Sequence, residues 1–174
     1  AHASIPVINA LTDDDHPTQL LADWLTIREN FGKDISGRKF VYLGDGNNMS
    51  HAWLIMGAIM GAHVVAATPS GKWAPNAKVV EIAKNIAANS GGKVEVSHDP
   101  EAASKDASVL YTDVWMSMGD SESERDEKVL ALSPFAVTEN LFSLTKKDSI
   151  FMHCLPAHRG EEVEASVIDG PRSV

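Results

Sequence analysis

The chain has 174 residues, 44% hydrophobic and 22% charged, a balance that supports a soluble globular core and argues against disorder. At about 100–200 residues per domain it makes a single domain, and a net charge of −9 with no Lys/Arg-rich run disfavours DNA or RNA as the main partner. One cysteine excludes an internal disulfide and a multi-cysteine zinc site, so Cys154 is a small core residue or a reactive thiol.

In chain order, Ile5–Leu11 is apolar and strand-like. A helix follows over His16–Phe31, with Pro17 at a first position that needs no amide hydrogen and a greasy face of Leu20, Leu21, Trp24, Leu25 and Phe31. Short β-branched runs predict buried strands at Lys39–Leu43, His63–Ala67, Lys93–Ser97, Ala107–Tyr111 and Ser149–His153. Between them, Met49–Met60 is apolar on nearly every face and predicts a buried helix. Ala77–Asn89 carries Val79, Ile82, Ala83 and Ile86 on one stripe, with Asn76 to cap its start and Gly91–Gly92 to end it. Pro100–Lys105 and Glu122–Leu132 complete the helices, the latter with an acidic first turn that the helix dipole favours. Strands alternating with helices at this spacing imply βαβ units. The expected fold is a Rossmann-like α/β three-layer sandwich with a parallel sheet of about five strands.

The longest apolar stretch, Ala52 to Ala67, is broken by Gly57, Gly61 and His63 and is too short to span a bilayer. No basic segment followed by an apolar one opens the chain, so the expectation is a cytoplasmic protein with no membrane partner. Val167–Val174 stops at Gly-Pro-Arg-Ser-Val with no finishing helix, as in a piece of something longer.

Four motifs carry chemistry. Gly44-Asp45-Gly46-Asn47-Asn48 joins a strand to a helix, where glycines allow a tight turn and the helix start offers N–H groups to an anion. A dinucleotide site would need a third glycine at Met49 and an acid after the next strand, which instead ends Ala66-Ala67-Thr68. A nicotinamide cofactor is therefore disfavoured. The two asparagines either hold a carboxylate or merely cap the helix. In Thr112-Asp113-Val114-Trp115-Met116-Ser117-Met118-Gly119, Asp113 follows a buried strand and suits an ammonium, with Ser117 as a second contact; the bland reading is a turn Asp and a capping Ser.

The third motif, Met152-His153-Cys154-Leu155-Pro156-Ala157-His158, ends a strand at the same sheet edge. A cis Leu155-Pro156 bond would turn the Leu155 carbonyl into the cleft, and the bland reading of Cys154 is an inert buried thiol. Its His153, Cys154 and His158 lack the usual metal-ligand spacing. The fourth motif is His16-Pro17-Thr18-Gln19, which puts His16 and Gln19 on one face of a first helical turn, where they either touch a polar ligand or stay solvated. His51 and His98 read as ordinary packing or surface residues. Arg159, Glu161 and Glu162 read as local salt bridging.

The phrases HPTQLLADWLTI, YLGDGNNM, DVWMSMG and HCLPAHRGEEV, in this order, resemble the ornithine carbamoyltransferases over nearly the whole chain. Ser117-Met118-Gly119 after Asp-Val-Trp points to ornithine rather than aspartate or putrescine. The resemblance implies transfer of a carbamoyl group from carbamoyl phosphate to the δ-amino group of L-ornithine, giving citrulline and phosphate, with no cofactor and no metal. It implies His16 and Gln19 at carbamoyl phosphate, together with Cys154 and the Leu155 carbonyl beside the reacting δ-amine. It puts Asn48, Asp113, Ser117 and Met118 at ornithine, with Asn47 as a further candidate. His153 and Cys154 are the implied catalytic residues, His153 next to the carbamoyl oxygen. A covalent intermediate is not expected.

The family's phosphate-gripping Ser-Thr-Arg-Thr-Arg segment has no counterpart here. The implied organisation is one ornithine-binding domain over 1–174, with a junction strand and helix at 1–31 and an α/β core at 35–174. The N-terminal carbamoyl-phosphate domain is missing, and the parent protein would be a homotrimer or a multiple of trimers. The expectation is that this piece binds substrates poorly and does not turn over. The alternatives are a non-catalytic amino-acid-binding Rossmann-like module, a carbamoyltransferase for another amine, and a nucleotide-binding oxidoreductase domain.

Overall fold

A computed structural model of the chain describes residues 4–35, 37–116 and 121–174. The elements run α1 (Pro17–Phe31), β1 (Lys39–Leu43), α2 (Asn48–Ile59), β2 (His63–Ala67), α3 (Ala77–Ser90), β3 (Lys93–Ser97), α4 (Pro100–Ser104), β4 (Val109–Thr112), α5 (Arg125–Leu132), α6 (Glu139–Ser143), β5 (Ile150–His153) and α7 (Ala165–Ile168). All strand pairs are parallel, in the order β3-β2-β1-β4-β5. The strand order reverses between β1 and β4, which are hydrogen-bonded neighbours. Open α/β sheets collect ligands outside the carboxyl ends of the strands at such a point.

Side chains alternate across the sheet with period two. Phe40, Tyr42, Val64, Ala66, Val109, Tyr111 and Met152 face one layer, with Leu20, Trp24 and Ile27 of α1 and Ala52, Trp53 and Leu54 of α2. Val41, Leu43, Val65, Ala67, Leu110 and Phe151 face the other, with Ala103, Leu141, Phe142 and Val167. Each large side chain buried this way contributes about 1.5–3 kcal/mol. The first layer is aromatic at its centre: Trp24 meets Trp53 edge-on at 5.6 Å between ring centroids, and Trp53 meets Tyr111 at 4.7 Å. α2 is buried along most of its length, as its continuous apolar sequence requires, and a Cβ at Gly57 would stand 2.1 Å from Val64 Cγ1, so only glycine lets the helix lie this close to β2.

Asn76 Oδ1 caps α3 by accepting from the Lys78 N–H at 2.9 Å, and Gly91 ends it in the left-handed conformation. The segment Glu122–Leu132 is a short 3-10 turn followed by α5 rather than one helix. Val109–Thr112 and Ile150–His153 start later than the predicted strands, because the Ala107 and Ser149 N–H groups bond back to the preceding turns, at the Ser104 and Lys146 carbonyls. Ile5–Leu11 does not form the expected strand: it is an exposed run without regular structure, with Ile5, Val7 and Ile8 each more than 70% exposed. Apolar side chains become a strand only when a sheet edge or another surface covers them, and among the described residues nothing does.

His51, on α2, does more than pack. Its Nδ1 donates to the Asp14 carbonyl at 3.3 Å and its Nε2 accepts from the Asn76 N–H at 3.0 Å, which fixes a neutral ring that ties the chain before α1 to the start of α3. Burial pushes its pKa below the usual histidine value. The unfolded chain takes up this proton near pH 6.5 and the folded chain resists it, so this contribution to stability is complete above that value and shrinks as pH falls below it. Thermal melts at pH 7.5 and 5.5 should show a larger acid loss in the parent than in His51→Gln; equal losses would contradict the role.

Candidate active site

Three loops end at one rim of the sheet. After β1, Gly44 takes a positive φ of 135° and Gly46 lies so close to the 74–75 backbone that a Cβ would stand 2.2 Å from the Ala74 carbonyl carbon. The Gly46 N–H donates to the Trp73 carbonyl at 2.8 Å. Asp45, nearly buried, is held by the buried Lys128 of α5 at 2.7 Å. This fixes the turn that delivers the two asparagines. Asn47 caps α2: its Oδ1 accepts from Met49 and Ser50 N–H groups at 3.0 and 3.2 Å. Its Nδ2 reaches across to Asp113 Oδ2 at 3.1 Å. The capping reading of Asn47 therefore holds, and the same side chain positions the carboxylate. Asn48 faces the cleft, where its Nδ2 donates to the Thr12 carbonyl at 3.1 Å.

After β4, Asp113 Oδ1 accepts from the Val114 N–H at 2.7 Å and from the Cys154 thiol at 2.9 Å. Ser117 and Met118 lie outside the described residues. After β5, Leu155 has a positive φ of 59° and precedes a cis bond to Pro156; both residues line the cleft, and His158 closes one side. Cys154 is thus a protonated thiol: burial pushes its pKa up, and the Asp113 charge pushes it further.

From α1, His16 and Gln19 face the same cleft, whose volume is about 320 Å³. Gln19 Nε2 donates to Asp23 Oδ1 at 2.9 Å, so its carbonyl oxygen is the end left for a ligand. His153 does not join them. Its side chain is 2% exposed, its Nδ1 accepts from the Leu155 N–H at 2.8 Å, and its Nε2 donates to Glu162 Oε1 at 3.2 Å. Both ring nitrogens bond within the loop that carries Cys154 and Leu155. His153, Cys154 and His158 also do not assemble as a ligand set. His158, Glu161 and Glu162 do bring ligand atoms within 4.8 Å of one another, but Glu161 pairs with Arg125 and Glu162 accepts from His153 and the His158 N–H. At the end of β2, where a ribose-binding acid would stand, is the buried Thr68.

The cleft therefore gathers His16, Gln19, Asn48, Asp113, Cys154 and Leu155 from four separate stretches of chain. Residues 36–174 match the family model described as aspartate/ornithine carbamoyltransferase, Asp/Orn binding domain. The chain belongs to this family. Residues 1–29 match the carbamoyl-phosphate binding domain of the same family, so α1 and the exposed run before it belong to the other half of the family's architecture. Among curated relatives, the ornithine carbamoyltransferase of Thermococcus kodakarensis is 54% identical over 173 residues, covering 99% of this chain and 54% of the relative. The solved ornithine carbamoyltransferase from Pyrococcus furiosus is 53% identical with a TM-score of 0.92, covering 99% of this chain and 54% of that one. That from Gloeobacter violaceus is 42% identical with a TM-score of 0.89, at 99% and 56% coverage. The chain spans about half the length of these family relatives.

Sequence reasoning missed Asp23 and Lys128 at this site, and read Glu162 as local salt bridging, which its bonds to His153 and His158 are. Asp23 carried a signal, since it follows Gln19 by one helical turn and interrupts the apolar face of Leu20, Trp24 and Ile27. Lys128 and Glu162 sit in charged stretches that look solvated until the fold buries them.

Proposed function

We propose that this chain is the ornithine-binding part of an enzyme that moves the carbamoyl group of carbamoyl phosphate to the δ-amino group of L-ornithine, giving L-citrulline and phosphate. The observation that carries the reading is the Asp113 carboxylate. It accepts from Asn47, Val114 and Cys154, three of roughly four acceptor positions on an ionised carboxylate, and the residue lines the cleft. An α-ammonium suits the remaining position. Asn48, on the same rim, suits the α-carboxylate, with Ser117 and Met118 as further contacts on the loop after Asp113. A diamino acid held by its α-end extends its δ-nitrogen toward Cys154 and the Leu155 carbonyl.

The δ-amine must be neutral to attack, yet its pKa in water is near the lysine value of about 10.4. A half-apolar cleft favours the neutral form. Its lone pair then bonds to the carbamoyl carbon as the bond to the phosphate oxygen breaks, and the amine proton is passed to an acceptor. Holding both reactants in line removes much of the entropic barrier. His16 and the Gln19 carbonyl suit the carbamoyl phosphate side. His153 supports the reaction by fixing the loop of Cys154 and Leu155. Ornithine's ammonium, once on Asp113, cancels part of the charge that keeps the thiol protonated, so Cys154 becomes a better hydrogen-bond partner as the substrate seats.

The reading includes the parent protein: a carbamoyl-phosphate domain and further subunits, as a homotrimer or multiple of trimers in the cytoplasm, cover the exposed Ile5, Val7 and Ile8. This piece alone is then expected to bind substrates poorly and not turn over. In the full-length protein, Cys154→Ala should chiefly lower turnover. A rate within about twofold of the parent, well under 1 kcal/mol of barrier, would remove Cys154 from the reaction.

A further inference from the structure

Tyr42 of β1 is 1% exposed, and its ring stacks on that of Tyr111 at 6.3 Å between centroids. Packing alone does not call for its hydroxyl: two residues earlier, on the same face of the sheet, Phe40 is completely buried without one. A phenol taken out of water needs a partner. The turn after β1 closes over this one. A Cβ at Gly44 would stand 3.7 Å from the Tyr42 oxygen and 3.7 Å from Thr112 Oγ1, which donates instead to the Leu43 carbonyl at 2.8 Å. The Tyr42 hydroxyl donates to Asn47 Oδ1 at 3.2 Å. That oxygen already accepts the two N–H groups of the α2 cap, so the cap itself has no need of a third donor.

We propose that Tyr42 is a positioning residue for the ornithine site, whose hydroxyl fixes the Asn47 amide and, through it, the Asp113 carboxylate. Asn47 Oδ1 is tied to α2 by two bonds and to β1 by the third. On the same planar group, Nδ2 then reaches Asp113 Oδ2, in the loop after β4, at 3.1 Å. An amide nitrogen accepts no hydrogen bond, so the three donors settle which end of the side chain meets the carboxylate. Among the described residues, Asp113 Oδ2 has this one hydrogen bond, whereas Oδ1 has two. Oδ2 is therefore the oxygen with more room for an ammonium, and the one whose direction depends on Asn47. An oxygen that accepts three bonds also draws charge from its amide, which strengthens the N–H donation at the other end. Removing the hydroxyl leaves the cap in place but lets the amide tilt, and the carboxylate with it.

The inference rests on the proposed ornithine site, and its failure can be told apart from the failure of that site. Tyr42→Phe keeps the ring and removes only the hydroxyl. In the full-length protein it should lower kcat/KM for ornithine about fivefold, the scale of one hydrogen bond, mostly through KM. Turnover at saturating ornithine and the KM for carbamoyl phosphate should both stay within about twofold of the parent. A purely structural role would move the two substrates alike. With Asp113→Asn already in place the carboxylate is gone, so adding Tyr42→Phe should cost less than about twofold in kcat/KM for ornithine. Three results would overturn the proposal: a Tyr42→Phe protein within about twofold of the parent toward ornithine, an equal loss toward carbamoyl phosphate, or the full fivefold loss in the Asp113→Asn background. An Asp113→Asn protein that handles ornithine like the parent would instead strike the ornithine assignment, and this proposal with it.

Discussion

Asp113→Asn in the full-length protein is expected to raise the KM for ornithine about 100-fold, the scale of losing a charge-assisted contact of about 3 kcal/mol. The amide is nearly isosteric, so the loop after β4 should keep its place, and Val114 can still donate to the remaining oxygen. The loss is specific to the charge: an amide nitrogen or neutral oxygen cannot replace a carboxylate against an ammonium. The KM for carbamoyl phosphate should stay within about twofold, because His16 and Gln19 on α1 are untouched. The variant should also make Cys154 easier to deprotonate, since the charge that holds its proton is gone. Steady-state kinetics with each substrate varied separates these outcomes; an unchanged ornithine KM would contradict the assignment.

Lys128→Ala should be the most damaging change for stability. Lys128 and Asp45 are both buried, and the ammonium also sits 5.2 Å from the Trp73 ring centroid. Breaking a buried pair from one side leaves a desolvated charge and costs about 3–5 kcal/mol. Against a total stability of about 5–15 kcal/mol, the melting temperature should fall by about 10 °C or more. Asp45 anchors the turn that carries Asn47 and Asn48, so the site should loosen with it. Lys128→Met combined with Asp45→Asn removes both charges and should recover most of the loss. Single and double variants melting alike would show that the pair is not what holds this turn.

The parallel sheet and its helices were legible because each strand is a short β-branched run and each long helix has an apolar stripe or an apolar whole. The motifs after β1, β4 and β5 were legible for a related reason: a parallel sheet puts all carboxyl ends on one edge, so residues at those ends converge wherever the strands lie in sequence. What could not be read was how the loops spend their polar atoms. His153 sits beside Cys154 in sequence, but in the fold its ring is consumed by Leu155 and Glu162, nine residues away in the latter case. His51 looked idle because its partners, Asp14 and Asn76, lie 37 and 25 residues away. Ile5–Leu11 has a strand's composition without a strand's neighbour, and composition alone does not supply one.

The most direct measurement is a crystal structure of the full-length protein with L-ornithine bound. The account predicts the α-nitrogen within about 3.2 Å of an Asp113 carboxylate oxygen, the α-carboxylate against Asn48, and the δ-nitrogen within about 4 Å of Cys154 Sγ. Ornithine seated in the reverse direction, or bound away from Asp113 altogether, would contradict it.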